Sequence, residues 1–411
     1  MTDSKGTMAE LDTFREETAA WLKANCPAGA RGPGEIAVGS TRIDLAPDTA
    51  LWLERMAEKG WTVPNWPKEY GGGGLSSAEV RVLSEEMGKI QARAPLGGMG
   101  VTMIGPTLLE FGTEAQKKRH IPLIAAGQRQ WCQGYSEPNA GSDLAALTTK
   151  AEDNGDHYLL NGQKIWTSGA ATADWMFALV RTDFSASKHE GISFVLLTMD
   201  QPGVTVKPIR LLSGNSPFCE TFLDNAVARK EDLLGEANKG WTIGKRLLQF
   251  ERSGIGGLSG GSRRSPMNEE LIAMARAYEG TDSGRLTDPV TRDTLLRFNM
   301  NWAAFRLTAR RVNEENKSGV PGAATSIFKL YGAALQQDGA ELKRQLMGTR
   351  GLGVRPEDWR AEPGDEQDSV FSAPELQAVQ DWLSTKATTI YGGSNEIQAN
   401  IIAKRVLGLP D

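Results

Sequence analysis

Hydrophobic positions along this chain follow two rhythms. From about Met8 to Ile124 apolar residues recur every three or four positions, the spacing of one helix face. Leu11, Phe14, Trp21 and Leu22 share such a face with Thr18, and Val80, Val82, Leu83 and Met87 form another. Between them Trp61–Gly74 reads WTVPNWPKEYGGGG, too rich in Pro and Gly for a helix, which predicts a long ordered loop. From about Gln130 to Glu236 the rhythm becomes that of strands. HYLLNGQKIWTSGA carries Asn161-Gly162, which predicts a hairpin turn. WMFALVRT, ISFVLLTMD, VTVKPIRLL and CETFLDNAV follow as short apolar or alternating runs, divided by the turn signals QPG and SGN. From Gly240 the helical period returns and continues through Leu295–Asn313, Ala323–Leu346 and Val379–Leu407, with polar loops at Ser259–Pro266 and Arg360–Pro374. This layout predicts an α+β fold, mostly α. Its domains are an N-terminal helical domain (1–128), a central β-sheet or barrel domain (129–236) and a C-terminal helical domain (237–411).

Composition narrows the function without naming it. The chain has 411 residues, 40% hydrophobic and 24% charged, ordinary values for a globular protein. A net charge of −5 argues against nonspecific nucleic-acid binding, which needs a basic footprint. There is no apolar run of membrane-spanning length. The N-terminus MTDSKGTMAELDTFREE is polar and acidic, unlike a signal or transit peptide, which predicts a cytoplasmic protein. Cys26, Cys132 and Cys219 lack disulfide or zinc spacing and are expected as small buried residues. His120, His157 and His189 stand apart from one another, so no metal site is expected.

Two segments carry the chemistry. Gly134–Asp143 reads GYSEPNAGSD at the front of the strand region. Its small residues let backbone approach a flat ligand closely, and Ser136 and Ser142 add hydroxyl donors. Lys164–Ala170 reads KIWTSGA, an aromatic wall beside two hydroxyls. A polar surface turn and a core Trp are the plain alternatives for each alone.

Together, GYSEPNAGSD and KIWTS resemble the acyl-CoA dehydrogenase family. The resemblance extends in family order through Trp61–Leu75, Gly112–Gln128 (GTEAQKKRHIPLIAAGQ) and Thr389–Gly408 (TIYGGSNEIQANIIAKRVLG), nearly the whole chain. It implies a C-terminal four-helix bundle domain, FAD as cofactor and an acyl-CoA thioester as substrate. It also implies α,β-dehydrogenation to the trans-2-enoyl-CoA, with electrons passed to an electron-transfer flavoprotein. On the flavin side it implicates Gln133, Tyr135, Ser136, Gly141, Ser142, Trp166, Thr167 and Ser168, with Ser142 also at the CoA moiety. It adds Ser394, Asn395 and Glu396 in the C-terminal turn. The stretch matching Gln345–Thr349, with Gln345, Gly348 and Thr349, would reach a neighbouring subunit's flavin. That implies a homodimer or homotetramer, or a mixed oligomer.

Many family members place the α-proton base directly after the Tyr of a Y-E-G triplet. Here the triplet is Tyr391-Gly392-Gly393, and glycine cannot be a base. A branch of the family carries the base earlier, in an L-x-x-E-R context, matched by Leu248-Gln249-Phe250-Glu251-Arg252. Spacing supports Glu251 independently. Trp241, Gly244, Leu247, Leu248, Glu251 and Ile255 fall on one helical face, where a carboxylate is costly unless paired or functional. Arg252 lies about 100° around that helix, a poor partner for Glu251. The alternatives are pairing with a Lys or a solvated edge. The resemblance gives Gly392 N–H to the thioester oxygen, and Arg252 and Gly393 to the substrate.

The adenine side departs from the family. Leu286–Phe298 lacks the usual R-x-x-F-G, leaving Arg292 as the substitute, and the glycine pair after Gln345 is altered. An insertion, Gly260–Glu270, carries Arg263-Arg264, a candidate for CoA phosphates or a solvated turn. Gly97–Met103 (GGMGVTM) resembles the acyl-pocket segment, where three glycines would make room for a long, branched or ring-bearing acyl group. Competing readings keep the fold and change the reaction (oxidase, monooxygenase or desulfinase), or make the chain a non-catalytic partner in a mixed oligomer.

Overall fold

A computed structural model describes residues 3–255, 266–315, 326–354 and 370–410. Packing divides the chain into two compact units, Met1–Ile209 with Pro217–Glu251, and Arg210–Ser216 with Arg252–Asp411.

The first unit opens with helices α1 (Asp3–Asn25), α2 (Pro47–Glu58), α3 (Ser77–Lys89), α4 (Gly105–Phe111) and α5 (Glu114–Ala125). Capping boxes start two of them, Ser76 with Glu79 on α3 and Thr113 with Gln116 on α5. The faces expected on α1 and α3 meet: Leu22, Trp52, Met56, Trp61 and Leu83 form one cluster, with Phe14 and Trp21 against it. Trp61–Gly74 is the ordered loop its composition predicts, with Val63, Trp66 and Tyr70 buried. A Cβ on Gly72 would lie 2.2 Å from the Trp66 carbonyl oxygen, so only glycine allows this approach.

Strands β1 (Trp131–Gly134), β2 (Lys150–Asp153), β3 (His157–Ser168), β4 (Trp175–Arg181), β5 (Ile192–Thr198), β6 (Val204–Ile209), β7 (Phe218–Arg229) and β8 (Leu233–Leu234) form one sheet. Their order is β6-β7-β3-β2-β4-β5-β8, with β1 parallel beside β4. On one face Phe177, Leu179, Phe194 and Leu196 pack with Ile104, Leu108, Ile121 and Ile124 of the helical region. On the other, Met176, Ala178, Val180, Val195 and Leu197 form a second cluster. Burial on both faces explains why β4 and β5 read as unbroken apolar runs. Helix α6 (Gly240–Ile255) adds Ile243 and Leu247 to the first cluster.

The hairpin expected at Asn161-Gly162 does not form. β3 runs straight through it, with a register shift between Leu160 and Gly162. A Cβ on Gly162 would lie 2.8 Å from Thr149 Cα, so this glycine serves a bulge and a close strand approach rather than a turn.

The second unit contains α7 (Pro266–Glu279), the short pair β9 (Thr281–Asp282) and β10 (Arg285–Leu286), α8 (Pro289–Glu315), α9 (Ser326–Leu346), α10 (Ala373–Ser384) and α11 (Asn395–Ile401). Leu271, Leu295, Phe298, Trp302, Phe305, Phe328 and Leu335 form its core. The helical run expected over Val379–Leu407 is broken. A 3-10 helix (Thr385–Thr389) and a turn separate α10 from α11, because Gly392 and Gly393 take φ of +64° and +88°. The loop expected at Arg360–Pro374 ends early, since Ser372 and Glu375 make a capping box with Pro374 in the first turn. Arg263 and Arg264 lie outside the described residues, and the end of their insertion opens α7. The three cysteines are free and buried. No helix among the described residues is long and apolar enough to cross a membrane.

Candidate functional site

The Gly134–Asp143 turn is held from beneath by a buried ion pair. β1 delivers it in parallel register with β4, Gln133 opposite Phe177 and Gly134 opposite Ala178. Glu137 and Ala140 then close a tight turn through reciprocal backbone hydrogen bonds of 3.0 Å. Lys164, fully buried on β3, donates from Nζ to Glu137 Oε1 at 2.8 Å, to the Leu179 carbonyl at 2.7 Å and to the Tyr135 carbonyl at 3.2 Å. Glu137 also accepts from Thr148 N at 2.7 Å, Thr148 Oγ1 at 3.0 Å and Thr149 N at 2.9 Å. Burial alone would push the Glu137 carboxyl up. Lys164 and these donors outweigh it and bring the group down to about 2.

The same strand fixes its neighbours. Ile165 N–H donates to the Ser136 carbonyl at 2.9 Å, tying the turn to the KIWTS segment. A second register shift falls between Lys164 and Thr167, and Trp166 inside it takes φ +59° and stands 53% exposed. The bulge turns Trp166 out and Thr167 in. Thr167 is buried, Ser136 and Ser168 are half-buried, and Gly141 and Ser142 are exposed. Tyr135 points elsewhere. Its ring is buried edge-on to Phe177 and Phe194, leaving only its backbone to the turn. Among the described residues the buried Gln133 Nε2 and Thr167 Oγ1 have no hydrogen-bond partner. An exposed aromatic face with leftover polar atoms on the same segments fits a flat heteroaromatic such as a flavin ring.

The C-terminal turn is built differently. Ser394 caps α11 by accepting from Ile397 N at 3.4 Å. Buried Gln398 donates from Nε2 to the Gly392 carbonyl at 3.1 Å. A Cβ on Gly393 would lie 2.7 Å from that amide. Asn395 Oδ1 is buried without a partner among the described residues. Glu396 is exposed, its carboxyl lowered chiefly by a hydrogen bond with Ser394.

Gln345, Gly348 and Thr349 are exposed, at the end of α9 and in the 3-10 helix Gly348–Leu352. Arg350 anchors that segment. Its guanidinium grips buried Glu375 through Nε and, at 2.8 Å, Nη2, while Tyr278 OH donates to the same carboxylate at 2.7 Å. Arg350 first, then Tyr278 and Ser372, hold Glu375 well below the usual carboxylate range against burial. Arg292 donates to the carbonyls of Leu286 and Thr287, its own loop. Glu251 and Arg252 belong to the backbone of α6, but their side chains lie outside the described residues. Of the glycines in Gly97–Met103, Gly100 is closely packed, since a Cβ there would lie 3.2 Å from Ile124, whereas Cβ atoms on Gly97 and Gly98 would make ordinary contacts of 3.4 Å with Ile36 and Val38.

Sequence reasoning missed Glu137, Lys164, Gln398 and Arg350, all of which hold a turn rather than line its surface. Lys164 follows polar Gln163 in a strand of mixed character, and neither it nor Gln398 left a signal that its place in the chain could reveal.

Family comparisons bear on the whole chain. The acyl-CoA dehydrogenase N-terminal, middle and C-terminal domains match residues 9–128, 132–226 and 238–407. Acyl-CoA dehydrogenase IpdE1 of Mycobacterium tuberculosis is 36% identical, over 98% of this chain and 99% of that protein. Among solved structures, "Tcur3481-Tcur3483 steroid ACAD" superposes with a TM-score of 0.75 at 32% identity, covering 98% of each chain. The ChsE4-ChsE5 complex from Mycobacterium tuberculosis does so with a TM-score of 0.72 at 25% identity, again covering 98% of each chain. With three domains matched in order and a full-length relative above one-third identity, the chain belongs to the acyl-CoA dehydrogenase family of flavoprotein oxidoreductases.

Proposed function

We propose that this enzyme dehydrogenates an acyl-CoA thioester between Cα and Cβ, with Glu251 as the base. FAD supplies the hydride acceptor for such a reaction. Trp166 offers its ring an aromatic edge. Ser136, Ser142, Ser168 and the backbone of Gln133, Tyr135, Gly141 and Thr167 offer polar contacts, and Ser394, Asn395 and Glu396 complete the contact set. Glu251 takes the Cα proton, and the Gly392 N–H donates to the thioester oxygen as negative charge builds there. Ser142, Arg252 and Gly393 serve the substrate, and Gln345, Gly348 and Thr349 serve a neighbouring subunit's flavin. Electrons leave to an electron-transfer flavoprotein. The acyl group is bulky and ring-bearing, a reading supported by the steroid designation of a 32%-identical structure.

The observation that carries this reading is the φ of +64° at Gly392. A residue with a side chain is strained there, so the C-terminal turn is built for a backbone donor and not for a carboxylate. The base must come from elsewhere, and Glu251 stands one helical turn beyond the buried Leu247 on α6. The test is anaerobic titration of the purified protein with straight-chain, branched and ring-bearing acyl-CoAs, following flavin bleaching near about 450 nm. Glu251→Gln is expected to bind acyl-CoA and to bleach at least about 10²-fold more slowly. Bleaching at the wild-type rate would remove Glu251 from the mechanism.

A second reading has the chain contribute half a flavin site to a different partner chain. Two structural neighbours carry paired names, Tcur3481-Tcur3483 and ChsE4-ChsE5, and Arg292 is engaged by its own loop. Purification without flavin, followed by colour only on adding a homologous chain, would favour it.

A further inference from the structure

Helix α9 holds the segment that leads into the C-terminal turn. Gln337 donates from Nε2 to the Thr385 carbonyl at 3.0 Å. About two turns earlier on α9, Lys329 is buried and donates from Nζ to the Thr388 carbonyl. Thr385–Thr389 is a 3-10 helix, and the last carbonyls of a helix need donors from outside it. The next two amides, Ile390 and Tyr391, both donate to the Ala387 carbonyl, at 2.9 and 3.1 Å. The carbonyl of buried Thr388 is met by Lys329 instead. The same ammonium stands 5.1 Å from the centroid of the Tyr391 ring, within cation–π range. Lys329 therefore holds the chain at Thr388 and again at Tyr391, and Gly392 follows at once. On the far side Gln398 donates to the Gly392 carbonyl at 3.1 Å. The Gly392 peptide is tied by a cation before it and by a neutral amide after it.

We infer that Lys329 is a positioning residue for the reaction, and that it sets the aim of the Gly392 N–H through Thr388 and Tyr391. Two features carry this. Gly392 and Gly393 are both left-handed, and glycine imposes little direction on its own backbone, so the aim has to be fixed by neighbours. A leftover carbonyl needs only a neutral donor, whereas a buried ammonium is costly. What the cation adds is its hold on the aromatic ring next to Gly392. A donor aimed at a developing oxyanion lowers the barrier only while that aim is kept. The effect on rate rests on the proposed dehydrogenation. The hold on the turn does not.

Hydrogen exchange and flavin bleaching, measured on the same variants of the full chain, test it. In Lys329→Met the amides of Ile390–Asn395 are expected to exchange about tenfold faster, with those of α8 unchanged. The limiting rate of acyl-CoA-dependent bleaching is expected to fall about 10²-fold, while the half-saturating acyl-CoA concentration changes by less than about threefold. Lys329→Arg keeps both the donor and the cation and is expected to recover most of the rate. Lys329→Gln keeps a donor without the charge and is expected to stay slow. Tyr391→Leu leaves the lysine in place and keeps the test open where Lys329→Met fails to fold. It is expected to slow bleaching about tenfold and to add nothing to Lys329→Met. A wild-type protein inert toward every acyl-CoA counts against the proposed reaction, and the hydrogen exchange then decides the positioning. Unchanged exchange over Ile390–Asn395 in Lys329→Met overturns the inference. So does bleaching at the wild-type rate in that variant, full recovery in Lys329→Gln, or losses from Lys329→Met and Tyr391→Leu that simply multiply.

Discussion

Two glycine-bearing turns in this protein are held by different means. The Gly134–Asp143 turn sits on a buried salt bridge, Glu137 to Lys164, in which both partners also reach backbone or hydroxyl groups. The Tyr391–Asn395 turn is shaped by two left-handed glycines and the neutral amide of Gln398, with buried Lys329 standing 5.1 Å from the Tyr391 ring. A buried ion pair stabilises strongly only while complete, because losing one partner leaves a charge in a poor solvent. A neutral amide holds less and costs less to lose. The first turn therefore carries the larger penalty for loss of one partner, and the second the smaller.

Lys164→Met puts the largest strain on that contrast. It strands the Glu137 carboxylate and is expected to cost about 3–5 kcal/mol, read as a lower denaturant midpoint. Adding Glu137→Gln should recover much of the loss, since the second change removes the stranded charge. A double variant no better than the single one would mean that the lysine acts by packing alone.

Acid separates the same proteins by sign. In the wild type the Glu137 carboxyl is brought down to about 2, so its contribution to stability is full above the unfolded carboxylate range and fades as pH falls toward 2. In Lys164→Met the carboxyl keeps only the Thr148 and Thr149 donors against burial, so its pKa rises above the wild-type value and protonation costs it less. The stability gap between the two proteins should narrow steadily from about pH 6 to about pH 3. A gap independent of pH in parallel urea titrations would contradict the charge argument.

On the second turn, Gln398→Leu should cost only about 1 kcal/mol, the net worth of one hydrogen bond. Its larger expected effect is on rate, roughly tenfold in acyl-CoA-dependent flavin bleaching, as the Gly392 N–H loses its fixed aim. A variant with lowered stability and an unchanged bleaching rate would separate this turn from the reaction.

Much of this contrast was legible in the chain, and the remainder fails for identifiable reasons. Three regions and most strands could be read because a core imposes periods of 3.6 or 2, whereas burial of β4 and β5 on both faces emerged only from the packed sheet. Asn161-Gly162 misled because a glycine demanded by Thr149 looks the same in sequence as one demanded by a turn. The surfaces of both turns were readable as motifs, through Ser136, Ser142, Trp166 and the Ser394–Glu396 stretch. Their supports were not, because Glu137 and Lys164 are 27 positions apart and meet only when β3 passes under the turn. Arg350 and Glu375 are 25 positions apart and join by the same kind of long-range contact.

The smallest effect belongs to Trp166, where the rigid turn meets a strained neighbour. A Trp at φ +59° costs about 1–2 kcal/mol relative to ordinary backbone, and exposure leaves little burial to offset it, beyond an edge contact with Phe218 at 6.2 Å. Asn tolerates this conformation better than an aromatic residue does. Trp166→Asn should therefore leave the flavin-free protein as stable as wild type, or more stable by up to about 1 kcal/mol. The same change removes the aromatic edge offered to the flavin, so the holoprotein should lose flavin more readily on dilution. Opposite signs in the two forms would identify the strain as retained for binding. A loss of equal size in both would make Trp166 an ordinary structural residue and leave the ion pair beneath it as the feature that defines this turn.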